Sequence, residues 1–205
     1  MTSNKKLFLA SQSPRRRELL SQVGFSFTVI SVDIDESVKT DELAENYVIR
    51  LAQEKAIAGL NTLTSSQNIV LGSDTLVVIS GEILGKPKNH DDARRMLHLL
   101  SGQTHQVMTA VSLATKQTPS SEAELNTQIS VSNVSFKNIT ETEIEKYVAT
   151  KECDDKAGSY AIQGLAAAFI THLSGSYSGV MGLPLYETVK LLEKAGITTE
   201  SLVVS

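Results

Sequence analysis

The chain of 205 residues has no tryptophan, five phenylalanines, five tyrosines, a single cysteine and four prolines. So few aromatic rings argue against a stacking platform for single-stranded nucleic acid, which needs a ring face for successive bases. Neither sign of charge dominates: 23 acidic residues stand against 19 basic ones, a net charge of −4. Affinity for polynucleotides comes mainly from neutralised phosphates, so a general nucleic-acid binder is excluded and any anion site must be local. The lone Cys153 rules out an intramolecular disulfide and suits a reducing compartment. No apolar run reaches the length of a membrane span, and the first residues lead into a strand pattern rather than a signal peptide. The expectation is a cytoplasmic protein with no membrane partner.

Familiar catalytic signatures are missing as well. The stretch Gly81-Glu82-Ile83-Leu84-Gly85-Lys86-Pro87 looks like a phosphate loop, but its spacing is wrong and proline replaces the required Ser or Thr. No Gly-x-Gly-x-x-Gly follows a strand, and there is no Gly-x-Ser-x-Gly elbow, His-Glu-x-x-His pair or Cys/His zinc spacing. His90, His98, His105 and His172 are scattered, and each reads as a surface or sheet residue rather than a ligand or base.

What remains is an ordinary globular composition, 41% apolar and 20% charged, long enough to bury a sizeable core and read as a single domain over residues 1–205. Strand and helix patterns alternate, which gives the α/β class. Residues 7–10 form a short apolar strand, and Ser13 and Pro14 then open a helix that Gly24 closes. A strand at 27–30 runs into the acidic loop of Asp33, Asp35 and Glu36. A helix is expected over 41–60, capped by Thr40, with Leu43, Tyr47 and Leu51 on its buried face. The strand at 69–79 is expected to break at Gly72-Ser73-Asp74-Thr75 before a hairpin at Ser80-Gly81. A helix over 91–100, a strand over 105–113 and its antiparallel partner over 128–136, bulged near Asn133, follow. Thr140 to Glu143 form a capping box, 167–170 reads as a strand, and Pro184 starts a last helix ending near Gly196.

Charges in unusual places carry the functional signal. Arg15, Arg16 and Arg17 fill the first turn of a helix whose start carries partial positive charge and prefers carboxylates. Two readings stay open: an external anion, phosphate foremost, docked against the arginines, the backbone N–H groups and two serine hydroxyls, or a solvated arginine cluster. Asp74 sits inside an apolar strand, where a charge must be paired, solvated through a cleft or bound to metal. A strand break carrying a functional acid is the preferred reading over a structural salt bridge. Glu36 ends a loop after a strand, a common position for sites in α/β proteins, though by itself it reads as an exposed acid. Lys55 lies near the apolar stripe of its helix, where most lysines snorkel. Lys86, between Gly85 and Pro87, has a rigid mount suited to aiming a charge. Residues 155–164 mix small residues with Tyr160 and Gln163: either a tight turn, or a close backbone approach with an amide offered to a base edge.

Taken together, Ser11-x-Ser13-Pro14-Arg15-Arg16-x-Glu18-Leu19-Leu20, Gly72-Ser73-Asp74-Thr75, Gly85-Lys86-Pro87, Leu100-Ser101-Gly102-x-Thr104-His105, Asp155-Lys156-Ala157-Gly158-Ser159-Tyr160-x-Ile162-Gln163-Gly164 and Gly182-Leu183-Pro184-Leu185 resemble the Maf family of nucleoside triphosphate pyrophosphatases. The resemblance runs from Leu7 to the final helix. It implies a twisted mixed β-sheet flanked by helices, with two lobes around a deep cleft, similar to the inosine triphosphate pyrophosphatases. Asp74-Thr75 with Gln163 looks like the branch that hydrolyses dTTP and UTP rather than the one acting on 7-methyl-GTP. On this resemblance Asp74 is the proton acceptor, Glu36, Lys55 and Lys86 are further catalytic residues, and Ser11, Ser13, Arg15, Arg16, Thr75 and Gln163 bind substrate.

Glu36 and Asp74 are the expected ligands of Mg²⁺ or Mn²⁺, hard cations that take oxygen ligands and bridge phosphates. Whether Asp74 is base, ligand or both stays open. Water attack on the α-phosphorus then releases pyrophosphate and leaves the monophosphate. Gln163 and Thr75 suit a pyrimidine whose O4 and N3–H form an acceptor–donor pair; cytosine reverses it, so CTP is expected to be rejected. The resemblance further implies a homodimer, house-cleaning of modified nucleotides as a second enzymatic reading, and an association with septum formation that fits a nucleotide-sensing regulator of cell division. One departure is Cys153, where relatives often carry proline.

Overall fold

The computed structural model describes residues 5–199. Its strands are β1 (Lys6–Leu9), β2 (Thr28–Val29), β3 (Asn68–Ile79), β4 (Glu82–Leu84), β5 (Thr104–Thr115), β6 (Glu124–Phe136) and β7 (Ile170–Ser174). They form one seven-stranded sheet in the order β2-β1-β3-β5-β6-β7, with β4 beside β3. The sheet is mixed. β1 runs parallel to both β2 and β3, whereas β4 is antiparallel to β3 and β7 to β6. Parallel neighbours need a crossover, supplied by α1 (Pro14–Gln22) between β1 and β2 and by α2 (Ala44–Asn61) between β2 and β3. The remaining helices are α3 (His90–Leu100), α4 (Glu141–Ala149), α5 (Tyr177–Met181) and α6 (Leu185–Lys194). This is the α/β sheet flanked by helices that the sequence predicts. No described helix is long and apolar enough to cross a membrane.

By packing the chain divides into two compact units. One comprises the chain up to Asp74, Thr109–Ser130 and the chain from Gly182; the other comprises Thr75–Met108 and Val131–Met181. In the first, Val48, Leu51, Ala52, Ala56, Gly59 and Leu60 recur every third or fourth residue and form the buried face of α2. Ala56 and Leu60 pack with Ala10, Val70 and Ala114. The small residues on that face let the helix lie against the strand almost backbone to backbone. A Cβ on Gly72 would stand 2.3 Å from the Ala52 carbonyl oxygen and 2.6 Å from the Ala56 nitrogen.

Two expectations in this unit are corrected. α2 begins at Ala44 with Leu43, not Thr40, at the N-cap, and Leu43 is 70% exposed. Asp41 has φ 57°, which a helix cannot accommodate, and the backbone nitrogen of Lys39 is tied to the Glu42 carboxylate. β3 is not interrupted at Gly72-Ser73-Asp74-Thr75, because its polar side chains find partners and the strand runs through. The Ser73 hydroxyl donates to the Gly182 carbonyl at 3.2 Å, and Asp74 meets Lys55.

The second unit buries Val77, Leu84, Met96, Leu97, Leu100, Val134, Phe136, Ile144, Tyr147 and Phe169 in one core. α3 is capped by the Asn89 side chain, which accepts from the Asp92 nitrogen at 2.9 Å. The capping box of α4 is formed between Thr140 and Glu143 as expected. The strand expected at 167–170 is displaced: Leu165–Phe169 forms a 3₁₀ turn and β7 starts at Ile170, the first β-branched residue of the segment. Against β7 the register of β6 shifts between Ser135 and Phe136, where β7 carries the extra residue Thr171. In the first unit Pro184 is the N-cap of α6, so the helix starts at Leu185, one residue later than expected.

Candidate active site

Side chains alternate along a strand, so Gly72 and Asp74 share one face of β3, and that face receives α2. Lys55 lies within the close-packed turn Ala52–Ala56 and within reach of Asp74. Its ammonium nitrogen is 2.6 Å from Asp74 Oδ1 and 2.6 Å from Glu36 Oε1. The Lys55 and Asp74 side chains are each 12% exposed, while Glu36 is 50% exposed. A lysine that reads in sequence as snorkelling is thus the shared cation of two carboxylates, one from a strand and one from a loop.

That loop is held from α2. The Tyr47 hydroxyl donates to the Glu36 carbonyl at 2.8 Å, and Arg50 Nη2 donates to the Ser37 carbonyl at 2.9 Å. Arg50 also grips Glu42 with both branches of its guanidinium, Nε to Oε1 at 2.6 Å and Nη2 to Oε2 at 2.7 Å. Hydrogen bonding from Arg50 holds the Glu42 carboxyl down at about 2. Burial pushes the Tyr47 hydroxyl pKa up, and the negative charges of Asp74 and Glu36 push it further. Sequence reasoning placed Tyr47 only on the buried face of its helix and missed Arg50 and Glu42. The one available signal was the pairing of Tyr47 and Arg50 on a single face one turn into the helix.

The start of α1 contributes to the same electrostatic cluster. Arg16 Nε donates to the Gly182 carbonyl at 2.8 Å, and Nη1 to Ser11 Oγ at 3.3 Å. Burial lowers the Arg16 pKa; Asp74 opposes that, Arg15 adds to it, and Glu36 opposes it. Ser11 Oγ also accepts from the Ser13 nitrogen at 3.2 Å. Ser13 occupies the N-cap, but its hydroxyl makes no capping hydrogen bond, and the first turn of α1 holds no acid. Arg16, Ser11, Glu36, Lys55 and Asp74 therefore converge, with Arg15 and Ser13 at the same helix start.

The other expected residues lie in the second unit. Thr75 falls on the face of β3 opposite Asp74. Lys86 is exposed on the loop after β4, where the Gly85 carbonyl accepts from the Gly158 nitrogen at 3.0 Å and so ties that loop to the 155–164 segment. Gln163 is exposed between buried Ile162 and Ala166. Of the histidines, His90, His98 and His172 are at least partly solvent-facing, whereas His105 is buried, its Nε2 2.8 Å from the Tyr160 hydroxyl.

The donor set fits a hard divalent cation brought in with a substrate. One ammonium holds two carboxylates together, and among the described residues no group of three or more His, Cys, Asp or Glu side chains forms a cage. Mg²⁺ is characteristically bound by one or two carboxylates, with phosphate oxygens and waters completing its shell.

Known proteins resemble the chain along nearly its whole length. The family model described as Maf-like protein matches residues 6–195. A dTTP/UTP pyrophosphatase of Colwellia psychrerythraea is 50% identical over 95% of this chain and 91% of its own length. One of Pseudoalteromonas atlantica is 50% identical over 95% of this chain and 99% of its own. A solved structure, the Staphylococcus aureus Ham1 protein, aligns with 79% of this chain and 90% of its own at 14% identity and a TM-score of 0.41, a distant likeness that carries no further weight. With a family model matching from the first strand to the end of the last helix, the chain belongs to the Maf family.

Proposed function

We propose that this protein is a nucleoside triphosphate pyrophosphatase that hydrolyses dTTP and UTP to the monophosphate and pyrophosphate, working as one domain. The observation that carries the reading is the Lys55 ammonium 2.6 Å from both Glu36 and Asp74, in the same electrostatic cluster as Arg16. The names of the relatives at 50% identity support the substrate class.

A nucleoside triphosphate brings about four negative charges, which Arg15, Arg16, Lys55 and Lys86 neutralise with the help of the helix start. Ser11 and Ser13 add hydroxyl contacts to the phosphates. Glu36 and Asp74 would hold Mg²⁺ or Mn²⁺, which would supply charge neutralisation to the bound triphosphate. Lys55 engages Asp74 through Oδ1, and Oδ2 takes the proton of the attacking water. The water oxygen bonds to the α-phosphorus, the bond from that phosphorus to the bridging oxygen breaks, and pyrophosphate leaves. Gln163 and Thr75 read the O4 and N3–H edge of the pyrimidine. A cytoplasmic location and a homodimer belong to the same proposal: the buried Cys153 thiol suits the former and the family resemblance supports the latter.

The test is pyrophosphate release from dTTP, UTP, dCTP, CTP, GTP and 7-methyl-GTP with Mg²⁺, Mn²⁺ or chelator, beside Asp74→Asn. Metal-dependent release from dTTP and UTP, abolished in a folded Asp74→Asn protein, is expected. Retained activity in that variant would sink Asp74 as the base, and CTP turned over as fast as UTP would overturn the base reading.

A further inference from the structure

We propose that Tyr147 and Glu152 are positioning residues that fix Gln163 for reading the base, an inference that rests on the pyrimidine reading of Gln163. The backbone on either side of Gln163 is hydrogen-bonded into this one pair. The Ala161 nitrogen, two residues before, donates to the Tyr147 hydroxyl at 3.3 Å. That hydroxyl donates to Glu152 Oε1 at 3.0 Å, and the other oxygen, Oε2, accepts from the Leu165 nitrogen, two residues after, at 3.0 Å. Ala161, Tyr147, Glu152 and Leu165 thus close a ring around the segment whose central residue is the exposed Gln163. Each partner uses a donor or acceptor it has to give: the phenol donates once and accepts once, and the carboxylate accepts on both oxygens.

The pair is itself anchored. Tyr147 is 3% exposed on α4, with its ring edge-to-face against Phe169 at 5.5 Å. The Glu152 carbonyl accepts from Lys156 Nζ at 2.7 Å, and its nitrogen donates to Thr150 Oγ1 at 3.2 Å. Space in the loop is matched to the carboxylate, since a Cβ on Gly164 would stand 2.3 Å from Glu152 Oε1. A carboxamide discriminates uracil from cytosine only while its mounting is fixed: turned by half a revolution, it offers the reversed donor–acceptor order that cytosine matches. Anchoring both flanks limits that swing.

The experiment compares kcat/KM for dTTP and dCTP in the wild type, Gln163→Ala, Tyr147→Phe, Gly164→Ala and the double variant Tyr147→Phe/Gln163→Ala. Tyr147→Phe keeps the buried ring and removes the hydroxyl, while Gly164→Ala displaces the Glu152 carboxylate without touching Tyr147. Each is expected to lower the dTTP:dCTP ratio about tenfold, mainly through a higher KM for dTTP. Tyr147→Phe is expected to add no further loss of selectivity to Gln163→Ala. If Gln163→Ala changes the ratio while both other variants preserve it, even with lower stability, the positioning role is overturned and the base reading stands. A ratio unchanged in Gln163→Ala overturns the base reading and the positioning role with it.

Discussion

Replacing Gly72 with alanine tests whether backbone-to-backbone contact between α2 and β3 builds the Lys55–Asp74–Glu36 cluster. The added methyl meets the Ala52 carbonyl oxygen at 2.3 Å and the Ala56 nitrogen at 2.6 Å. Both are backbone atoms of α2, so no side chain can rotate away. Ordinary contact starts near 3.4 Å, so the helix must retreat by about 1 Å. Overpacking a close-packed interior costs about 1–3 kcal/mol, and a backbone obstacle puts this variant at the upper end, about 3 kcal/mol. In a chain of this size that lowers Tm by about 6–12 °C. Lys55 rides on the helix that moves, so its 2.6 Å contact with Asp74 opens. Misplacement on this scale costs about a hundredfold in turnover. Calorimetry gives the first number, and pyrophosphate release from dTTP, well below both melting midpoints, gives the second. Gly85→Ala is the stability control: a Cβ there meets nothing within 4 Å, and its effect is expected within about 0.5 kcal/mol. A Gly72→Ala protein with wild-type Tm and full turnover would refute the close approach as the source of the Lys55–Asp74 contact.

Burial pushes His105 from 6.5 down to about 4, so between those values the unfolded chain holds a proton that the folded chain lacks. The stability this ring contributes is complete above about pH 6.5 and is lost as pH falls towards 4, by about 3 kcal/mol. His105→Gln should therefore flatten the decline of the urea midpoint between neutral and mildly acidic pH; parallel curves for the two proteins would contradict this. Cys153 is fully buried and burial pushes its thiol up to about 11, so iodoacetamide at mildly alkaline pH should label it only after denaturation. Equal native and denatured labelling rates would rule that out. Arg50→Leu frees the Ser37 carbonyl and the Glu42 carboxylate, so tryptic cleavage after Lys39 should accelerate several-fold in the native protein, and an unchanged rate would show that the Glu36 loop is held by other contacts.

Local signals were legible where the physics is local. The helix start at Pro14, the capping box at Thr140 and the α/β alternation depend on neighbours within a few residues, and each is where the pattern puts it. The same reasoning failed at the start of α2, where Arg50 claims Glu42 and Tyr47 claims the Glu36 carbonyl, contacts eight and eleven residues apart that hold the chain in a loop instead of a helical turn. It failed again at Asp74. Polarity suggested a broken strand, yet the strand continues because the charge is met by a lysine 19 residues earlier.

By itself the sequence determined the fold class and the family and singled out Asp74 and the arginines of the first helix as charges in unusual places, because hydrophobic period, caps and spaced motifs are properties of the chain read in order. The tertiary structure alone decided what those residues do to one another. Lys55 is a shared cation rather than a snorkelling surface group because Gly72 lets α2 settle onto β3. Glu36, though half exposed, meets Lys55 because Tyr47 and Arg50 hold its loop against that helix. Such contacts depend on distances between segments remote in the chain, set by how closely two backbones can pack, and no local pattern encodes them.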